Sequence, residues 1–556
     1  MINRKFSDGE SLSDDFKLFA GRWVAIINHQ IVGHGGTPKQ ALRAAKEARF
    51  KENPEVIFIP MQTPLKFPEL FYRIRELLPQ DEEIYLVGGA IRDMLLQRPV
   101  HDLDFALKRN TTKFARDVAN AIGGAIFTLD EKRETVRIIY TDKQSDRIIL
   151  DFNSLRGKDI EDDLGKRDFT INAMAVDIRN PMQLIDPLGG AQDLLNKRLW
   201  YCSPSAFIED PIRSIRAVRF AANLDVFIQK ELRTAIRRTV KRLSDVSGER
   251  IRDEIFTIFM GRKVALAIRA LDILGCMKVI FPELERLKTI EQSSPYISTL
   301  WTHSVETIAK LEGLLDSLEL VRKPESSENL IYGLVYQKLG QFRQQINQHL
   351  SKELVLGRNI RALLNFAALL HEMGEEAKEK IDEPGDVHLL GPDKKMVEII
   401  EKRGRALRLS NDEIKWVRTI GSYNLHPLFM KPGDTQPSNR AIYRFFRKTG
   451  EAGIDICLLS LADTLATYGT SLSQDIWEKQ LELVRTLFIA WWKDRDNLVS
   501  PPPIISGVDL INEFDMYPGP RIGQLLEMIR EAQVMGEVTT KENALLYIKR
   551  KIGERG

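Results

Sequence analysis

Three cysteines in 556 residues, Cys202, Cys276 and Cys457, are too few and too scattered for a disulfide framework. None forms a CxxC pair that could hold zinc. No apolar run approaches the ~20 residues that cross a bilayer, and the start MINRKFSDGESLSDDF lacks the apolar core of a signal peptide. These absences predict a cytoplasmic chain with no membrane partner. An excess of one charge is missing too. Lys+Arg 81 against Asp+Glu 78 leaves +3, so any surface for a polyanion is local rather than global. Neither GxGxxG nor GK[ST] occurs, which excludes a Rossmann or Walker phosphate site.

What is present is an ordinary globular composition, 43% hydrophobic and 29% charged, in a chain too long for one core. Roughly three to four units of ~150 residues are expected. Near the start, RWVAIINHQIVGHG reads as two strands around a turn at Asn28-His29. TPKQALRAAKEARF follows as a helix with a Thr cap and Pro at its first position, and EVIFIP as a third strand. This small α+β module carries no acid–base or metal cluster and is read as accessory. From 66 to about 200, strand-like IYLVGG, DLDFAL, TVRIIYTD and RIILDF mix with the helical TKFARDVANAIG, an α+β pattern. Beyond 205 strand signals almost vanish. DPIRSIRAVRFAANL, VETIAKLEGLLDSLELV and NALLYIKRK carry apolar residues at helical spacing. ESSEN (325–329), KPGDTQPSN (431–439) and SPPPIISG (500–507) read as loops.

The stretch YLVGGAIRDMLLQRPVHDLDFAL carries the chemistry. In a strand, Asp102 and Asp104 share one face while Leu103 and Phe105 turn to the core. Two carboxylates on one face repel unless a cation lies between them, and oxygen-only ligands suit Mg²⁺. A site with two such ions needs a further acid; Asp151, inside the apolar run RIILDF, offers it. Gly88 and Gly89 follow a strand and precede a helix, where backbone amides can approach phosphate, and Arg92 lies one turn further on.

Five motifs in order resemble the class II tRNA nucleotidyltransferases, the CCA-adding enzymes and their bacterial poly(A) polymerase relatives. They are LVGGAIRD with HDLDF, KRDFTINAMA (166–175), DPLGGAQDL (186–194), EDPIRSIRAVRF (209–220) and ERIRDEIFTIF (249–259). The resemblance covers 66–262 closely and the rest loosely. It implies a DNA polymerase beta-like mixed-sheet head followed by a mostly helical neck, body and tail. The expected divisions are 1–62 (accessory module), 66–200 (head), 201–262 (neck), 263–295 (body), 296–470 (a degenerate HD-like region) and 471–556 (tail).

By that resemblance Asp102, Asp104 and Asp151 hold two Mg²⁺ ions. Arg167, Asp168 and Asn172 take the ribose and triphosphate of ATP or CTP, the latter two from one face of a helix. Asp210 and Arg213 act as a protein template for C and A, with Arg216 and Arg219 continuing the stripe. The RNA 3′-hydroxyl attacks the α-phosphate, and the helical body holds the tRNA acceptor arm. RTAIRRTVKRL (233–243) and EKRGRALRL (401–409) are candidate RNA contacts. Addition of CCA, CC, A or poly(A) all remain open. The loop between the two strand acids and Asp151, including LDEKRETVRIIYT (129–141), is expected to set how far addition runs, and DVANAIGGAIFTLDEKRETVRII looks more like the A-adding and broader bacterial branch.

A second constellation, His303, then His371-Glu372 in HEMG, then Asp463, resembles the His…His-Asp…Asp layout of HD phosphohydrolases. Glu372 replaces the usual acid and Glu375 the usual lysine. Either a purely structural helical core or residual metal binding with phosphodiesterase activity fits that pattern. A phosphohydrolase with an inactive head, and a non-catalytic RNA-binding protein, are the alternatives from other classes.

Overall fold

The strand Asp102–Leu107 sits at the centre of the first of two compact units, which meet in sequence between Asp245 and Val246. That division falls inside the stretch 201–262 expected as a single neck. The computed structural model describes residues 19–28, 30–48, 53–59, 61, 65–131, 134–142, 147–291, 298–320, 330–374, 394–423 and 437–553. His29, Glu375, ESSEN and all but the last three residues of KPGDTQPSN lie outside them.

In the first unit, β1 (Trp23–Ile27), β2 (Gln30–Gly35) and β3 (Glu55–Phe58) form an antiparallel sheet in the order β2-β1-β3. Helix Pro38–Glu47 covers one face. Thr37 caps it by accepting from the Gln40 amide at 3.3 Å, and Pro38 opens it without needing a donor. Phe58 packs both against the module's own core and against the core of the larger sheet that follows.

That sheet has seven strands: β4 (Ile84–Val87), β5 (Asp102–Leu107), β6 (Ala125–Asp130), β7 (Thr135–Thr141), β8 (Arg147–Ser154), β9 (Ala175–Asp177) and β10 (Leu184–Ile185). Their order is β10-β9-β4-β5-β8-β7-β6, mixed because β5 and β8 run parallel. The two-residue alternation of β5, β7 and β8 sends Leu103, Phe105, Val136, Ile138, Leu150 and Phe152 to one buried face. Phe105 and Phe152 stack there with centroids 4.9 Å apart, each ring worth about 2–3 kcal/mol of burial. The opposite face of the same strands carries Asp102, Asp104, Arg137 and Asp151 beside Ala106, Ile139 and Ile149. The connection between β5 and β8, expected as a loop, instead contains helix Thr111–Ile122 and the antiparallel pair β6–β7, with Leu129 and Asp130 ending β6 and the strand read in TVRIIYTD forming β7. The β-branched alternation of TVRIIYT makes it the strand its sequence predicts.

The second unit is helical, with one two-stranded ribbon, Glu353–Val355 and Arg358–Asn359, among the described residues. Helix Gly453–Tyr468 is buried on nearly every side, as befits a helix apolar all round. Helices Leu300–Ser317 and Ile360–Leu370 pack near it. A separate small core of Leu510, Leu525, Ile529 and Ile548 holds the last three helices. In EKRGRALRL, Arg403 is not a free cation: it binds Glu283 at 2.6 Å and the Ile280 carbonyl at 2.9 Å. Among the described residues no helix is long and apolar enough to cross a membrane.

Candidate active site and a second histidine–carboxylate cluster

Register decides which acids meet. Asp104 and Asp151 are direct partners across the parallel β5–β8 pair, and Asp102 lies two residues along the same face. Asp104 is pushed up to about 6, first by burial and then by the neighbouring Asp151 charge. Asp102, more exposed, is raised for the same two reasons. Asp151 has a counter-ion that the sequence did not disclose. Arg137 stands opposite it across the antiparallel β7–β8 pair and grips both its oxygens, Nε to Oδ1 and Nη2 to Oδ2, each at 2.8 Å. A single cation in TVRIIYT is visible in the sequence, but its partner depends on strand order.

The two glycines divide their roles. Gly88, at φ 79°, takes a left-handed conformation that a side chain would strain. A Cβ there would lie 3.1 Å from Arg167 Nη1 and 3.4 Å from Asp104 Oδ2. Its amide, however, donates to the Met174 carbonyl at 3.1 Å, so it is not available to a phosphate. The Gly89 amide opens helix Gly89–Leu95, where no intrahelical acceptor exists.

The KRDFTIN segment is a turn rather than one helix. Phe169 is extended and bridges to Tyr201, and a 3₁₀ turn spans only Thr170–Asn172. Asp168 and Asn172 nonetheless converge, Asn172 Nδ2 donating to Asp168 Oδ1 at 3.2 Å. Asp168 also accepts from Arg216 Nε and Nη2 at 2.9 and 2.7 Å. Burial alone would raise Asp168; the Arg216 guanidinium, with Asn172 and the Phe169 amide, holds it below the usual carboxylate range. Arg92 joins the same network, giving Nη1 to Asn172 Oδ1 at 2.6 Å and two bonds to Asp93 at 2.9 and 2.8 Å. Arg167 pairs with Asp163 at 2.9 Å.

Asp210 follows helix Ala206–Glu209, and Arg213 opens helix Arg213–Leu224, its amide donating to the Asp210 carbonyl at 3.2 Å. Arg213 Nη2 donates to the Lys166 carbonyl at 3.1 Å, while Nη1 is buried without a hydrogen-bond partner. Arg219 lies over the Phe220 ring at 4.4 Å.

In the second unit, His303, His371, Glu372 and Asp463 converge from three helical segments, all buried, each offering one ligand atom within 4.8 Å of the others. His303 Nε2 is 2.8 Å from Asp463 Oδ1, and His371 Nε2 is 3.0 Å from Glu372 Oε1. His371 Nδ1 faces the Ala368 carbonyl at 2.7 Å, which turns Nε2 inward. Burial would lower His371, but Glu372 and Asp463 drive it up to about 10.

Four family models match parts of the chain: the poly A polymerase head domain (84–200), the RNA and SrmB-binding site of polymerase A (225–288), tRNA nucleotidyltransferase domain 2 (398–548), and a family of unknown function (15–62). The A-adding tRNA nucleotidyltransferase of Deinococcus radiodurans is 29% identical, over 86% of this chain and 98% of its own. The CC-adding tRNA nucleotidyltransferase of Geobacter sulfurreducens is 28% identical, over 84% and 91%. A solved CCA-adding enzyme in complex with CTP shares the fold at TM-score 0.55 and 18% identity, over 88% of this chain and 96% of that one. With the head-domain match lying on the mixed sheet that carries the acids, the chain is similar along most of its length to the class II tRNA nucleotidyltransferases, the family of CCA-adding enzymes and their bacterial poly(A) polymerase relatives.

Proposed function

We propose that this protein is a template-independent nucleotidyltransferase that adds CMP, AMP or both to the 3′ end of tRNA, releasing pyrophosphate. The observation that carries the reading is the register of Asp104 against Asp151, with Asp102 on the same face, beside the glycine turn. Three hard oxygen donors on one face, one of them raised to about 6 by burial and the adjacent Asp151 charge, are a donor set that fits Mg²⁺. Bound there, divalent ions would supply hydroxyl activation and neutralise developing phosphate charge.

The remaining work belongs to side chains. Arg92 and Arg167, next to Gly88 and Asn172, are oriented to take negative charge from the triphosphate. Asp168 and Asn172, locked by Arg216, fix the turn on which the ribose would rest. Arg213 Nη1, buried without a hydrogen-bond partner, is a donor awaiting an acceptor; the ring edge of cytosine or adenine offers one, with Asp210 accepting from the exocyclic amine. Uracil and guanine present the opposite polarity and leave these groups unpaired, which discriminates strongly. The RNA-handling families matched at 225–288 and 398–548 support contact with the tRNA acceptor arm, and a tRNA substrate accords with a cytoplasmic place of action.

The test is to supply single labelled nucleotides to tRNA ending at the discriminator base, at -C and at -CC. Incorporation of C and then A marks a complete enzyme; one type alone marks a CC- or A-adding enzyme, and long A tails a poly(A) polymerase. Arg213→Ala should loosen base choice. No incorporation of either nucleotide onto any of the three ends overturns the proposal.

A second reading concerns the cluster at His303, His371, Glu372 and Asp463. Two imidazoles and two carboxylates within 4.8 Å form a donor set for one transition-metal ion, and Glu372 Oε2 is buried without a hydrogen-bond partner. Bound metal in the purified protein, with phosphate release from 2′,3′-cyclic nucleotides in Ni²⁺ or Mn²⁺, supports a hydrolytic centre; its absence leaves a helical core.

A further inference from the structure

Among its described residues the N-terminal module shows no metal-ligating cluster, yet it is fastened to the head by a backbone contact. A Cβ on Gly36 would fall 1.4 Å from the Asp186 carbonyl oxygen, so the two main chains touch. The Asp186 amide donates to the Gly36 carbonyl at 3.1 Å. Gln40 completes the joint: its Oε1 accepts from the Gly36 amide at 2.9 Å and its Nε2 donates to the Pro187 carbonyl at 2.7 Å.

Asp186 opens the DPLGGAQDL motif. Its buried carboxylate accepts from the amides of Gly190 and Ala191 at 2.7 and 3.0 Å, starting helix Gly190–Leu195. That helix bears directly on the turn of the nucleotide site. Asp193 accepts from Thr170 Oγ1 at 2.7 Å, and a Cβ on Gly190 would lie 2.0 Å from the Thr170 carbonyl oxygen. Thr170 begins the 3₁₀ turn that ends at Asn172. Such short turns have poor internal hydrogen bonds and depend on what packs behind them.

We propose that the module is a brace for the nucleotide-binding turn, with Gly36 and Gln40 as positioning residues that act through Asp186–Asp193 on Thr170 and Asn172. The proposal rests on the reading of residues 167–172 as a nucleotide site. It gives the segment matched by the family of unknown function (15–62) a role distinct from covering apolar surface. Phe58 and Met61 cover the head core; the Gln40 bridge can be cut without uncovering it.

Gln40→Glu is the sharpest cut, since it keeps the acceptor for Gly36 but sets an acceptor against the Pro187 carbonyl. In the full chain it should raise the Kd for both ATP and CTP about three- to tenfold. The kcat at saturating nucleotide and the Kd for tRNA should stay near wild type. Gly36→Ala should move nucleotide affinity further in the same direction, and Thr170→Val should imitate Gln40→Glu. Because all three lie on one chain of contacts, Gln40→Glu with Thr170→Val should be no worse than the weaker-binding single variant.

Wild-type nucleotide affinity in a folded Gln40→Glu protein, or multiplied losses in the double variant, overturns the brace. If Gly36→Ala does not fold, Gln40→Glu alone decides. Asp168→Asn separates the layers: if it binds ATP and CTP normally, the nucleotide site itself is misassigned. If Asp168→Asn weakens binding and Gln40→Glu does not, only the brace falls.

Discussion

Asp104 and Asp463 are the same residue type held in opposite directions. On the sheet of the first unit, burial and the adjacent Asp151 push Asp104 up to about 6. In the helical unit, burial would also raise Asp463, but hydrogen bonds and charge from His303 and His371 carry it well below the usual range. Around the first carboxylate, burial and the Asp151 charge outweigh Arg167 and Arg137, the latter bound directly to Asp151. Asp104 is held high where burial and a like charge dominate, whereas Asp463 is held low by two adjacent imidazoles. Both clusters are acid-rich, and the two histidines of the second separate them.

The widest gap should appear when each is removed. Asp102→Ala or Asp104→Ala should cut single-nucleotide incorporation onto tRNA by roughly a thousandfold or more. The Tm near pH 7.5 should not fall in Asp104→Ala. Its carboxyl is raised in the folded state, so its charged form costs stability above about pH 6 rather than supplying it. Asp463→Ala should do the reverse. It strands buried imidazoles and should lose about 3–5 kcal/mol in denaturant unfolding, while incorporation per folded molecule changes far less. Normal extension by Asp102→Ala would dissolve the contrast.

Arg137→Gln sharpens the same comparison by removing the cation bound to Asp151. Without it, the three carboxylates are less balanced. Mn²⁺ binding in the absence of nucleotide, followed by calorimetry, should tighten about three- to tenfold. Weaker binding would mean that Arg137 aims Asp151 rather than competing for it.

A pH-dependent effect tests the charge pairing inside the helical unit. His349, buried between Asp455 at 3.2 Å and Glu451 at 3.3 Å, would be lowered by burial, yet these acids drive it up to about 9. A raised histidine contributes fully below its unfolded value near 6.5 and loses that contribution as pH rises through about 9. The stability gap between wild type and His349→Gln should therefore narrow by up to about 3 kcal/mol between pH 6 and pH 10. A gap independent of pH would place the stabilisation in packing instead.

The legibility of these sites follows from how far each contact reaches along the chain. Asp102 and Asp104 could be assigned a common face because two-residue alternation is local. Asp168 and Asn172 were correctly paired but wrongly put on one helix, since four-residue spacing also closes across an extended residue and a 3₁₀ turn. The amide of Gly88 could not be seen to be spent on Met174, a strand partner 86 positions away. Arg137 was missed for the same reason, as its partner is set by strand order.

The sequence by itself determined the two faces of DLDFAL, the capped helix after Thr37, the ordered motifs that mark the family, and the roster His303, His371, Glu372 and Asp463. Each depends on chemistry within a few residues or on order along the chain. Tertiary structure alone decided that Arg137 meets Asp151, that Arg216 locks Asp168, that Gly36 touches Asp186, and that His303 reaches Asp463 across 160 positions. Which distant charges become neighbours depends on strand register and helix packing, and these are fixed by burial of the whole apolar surface rather than by any one segment.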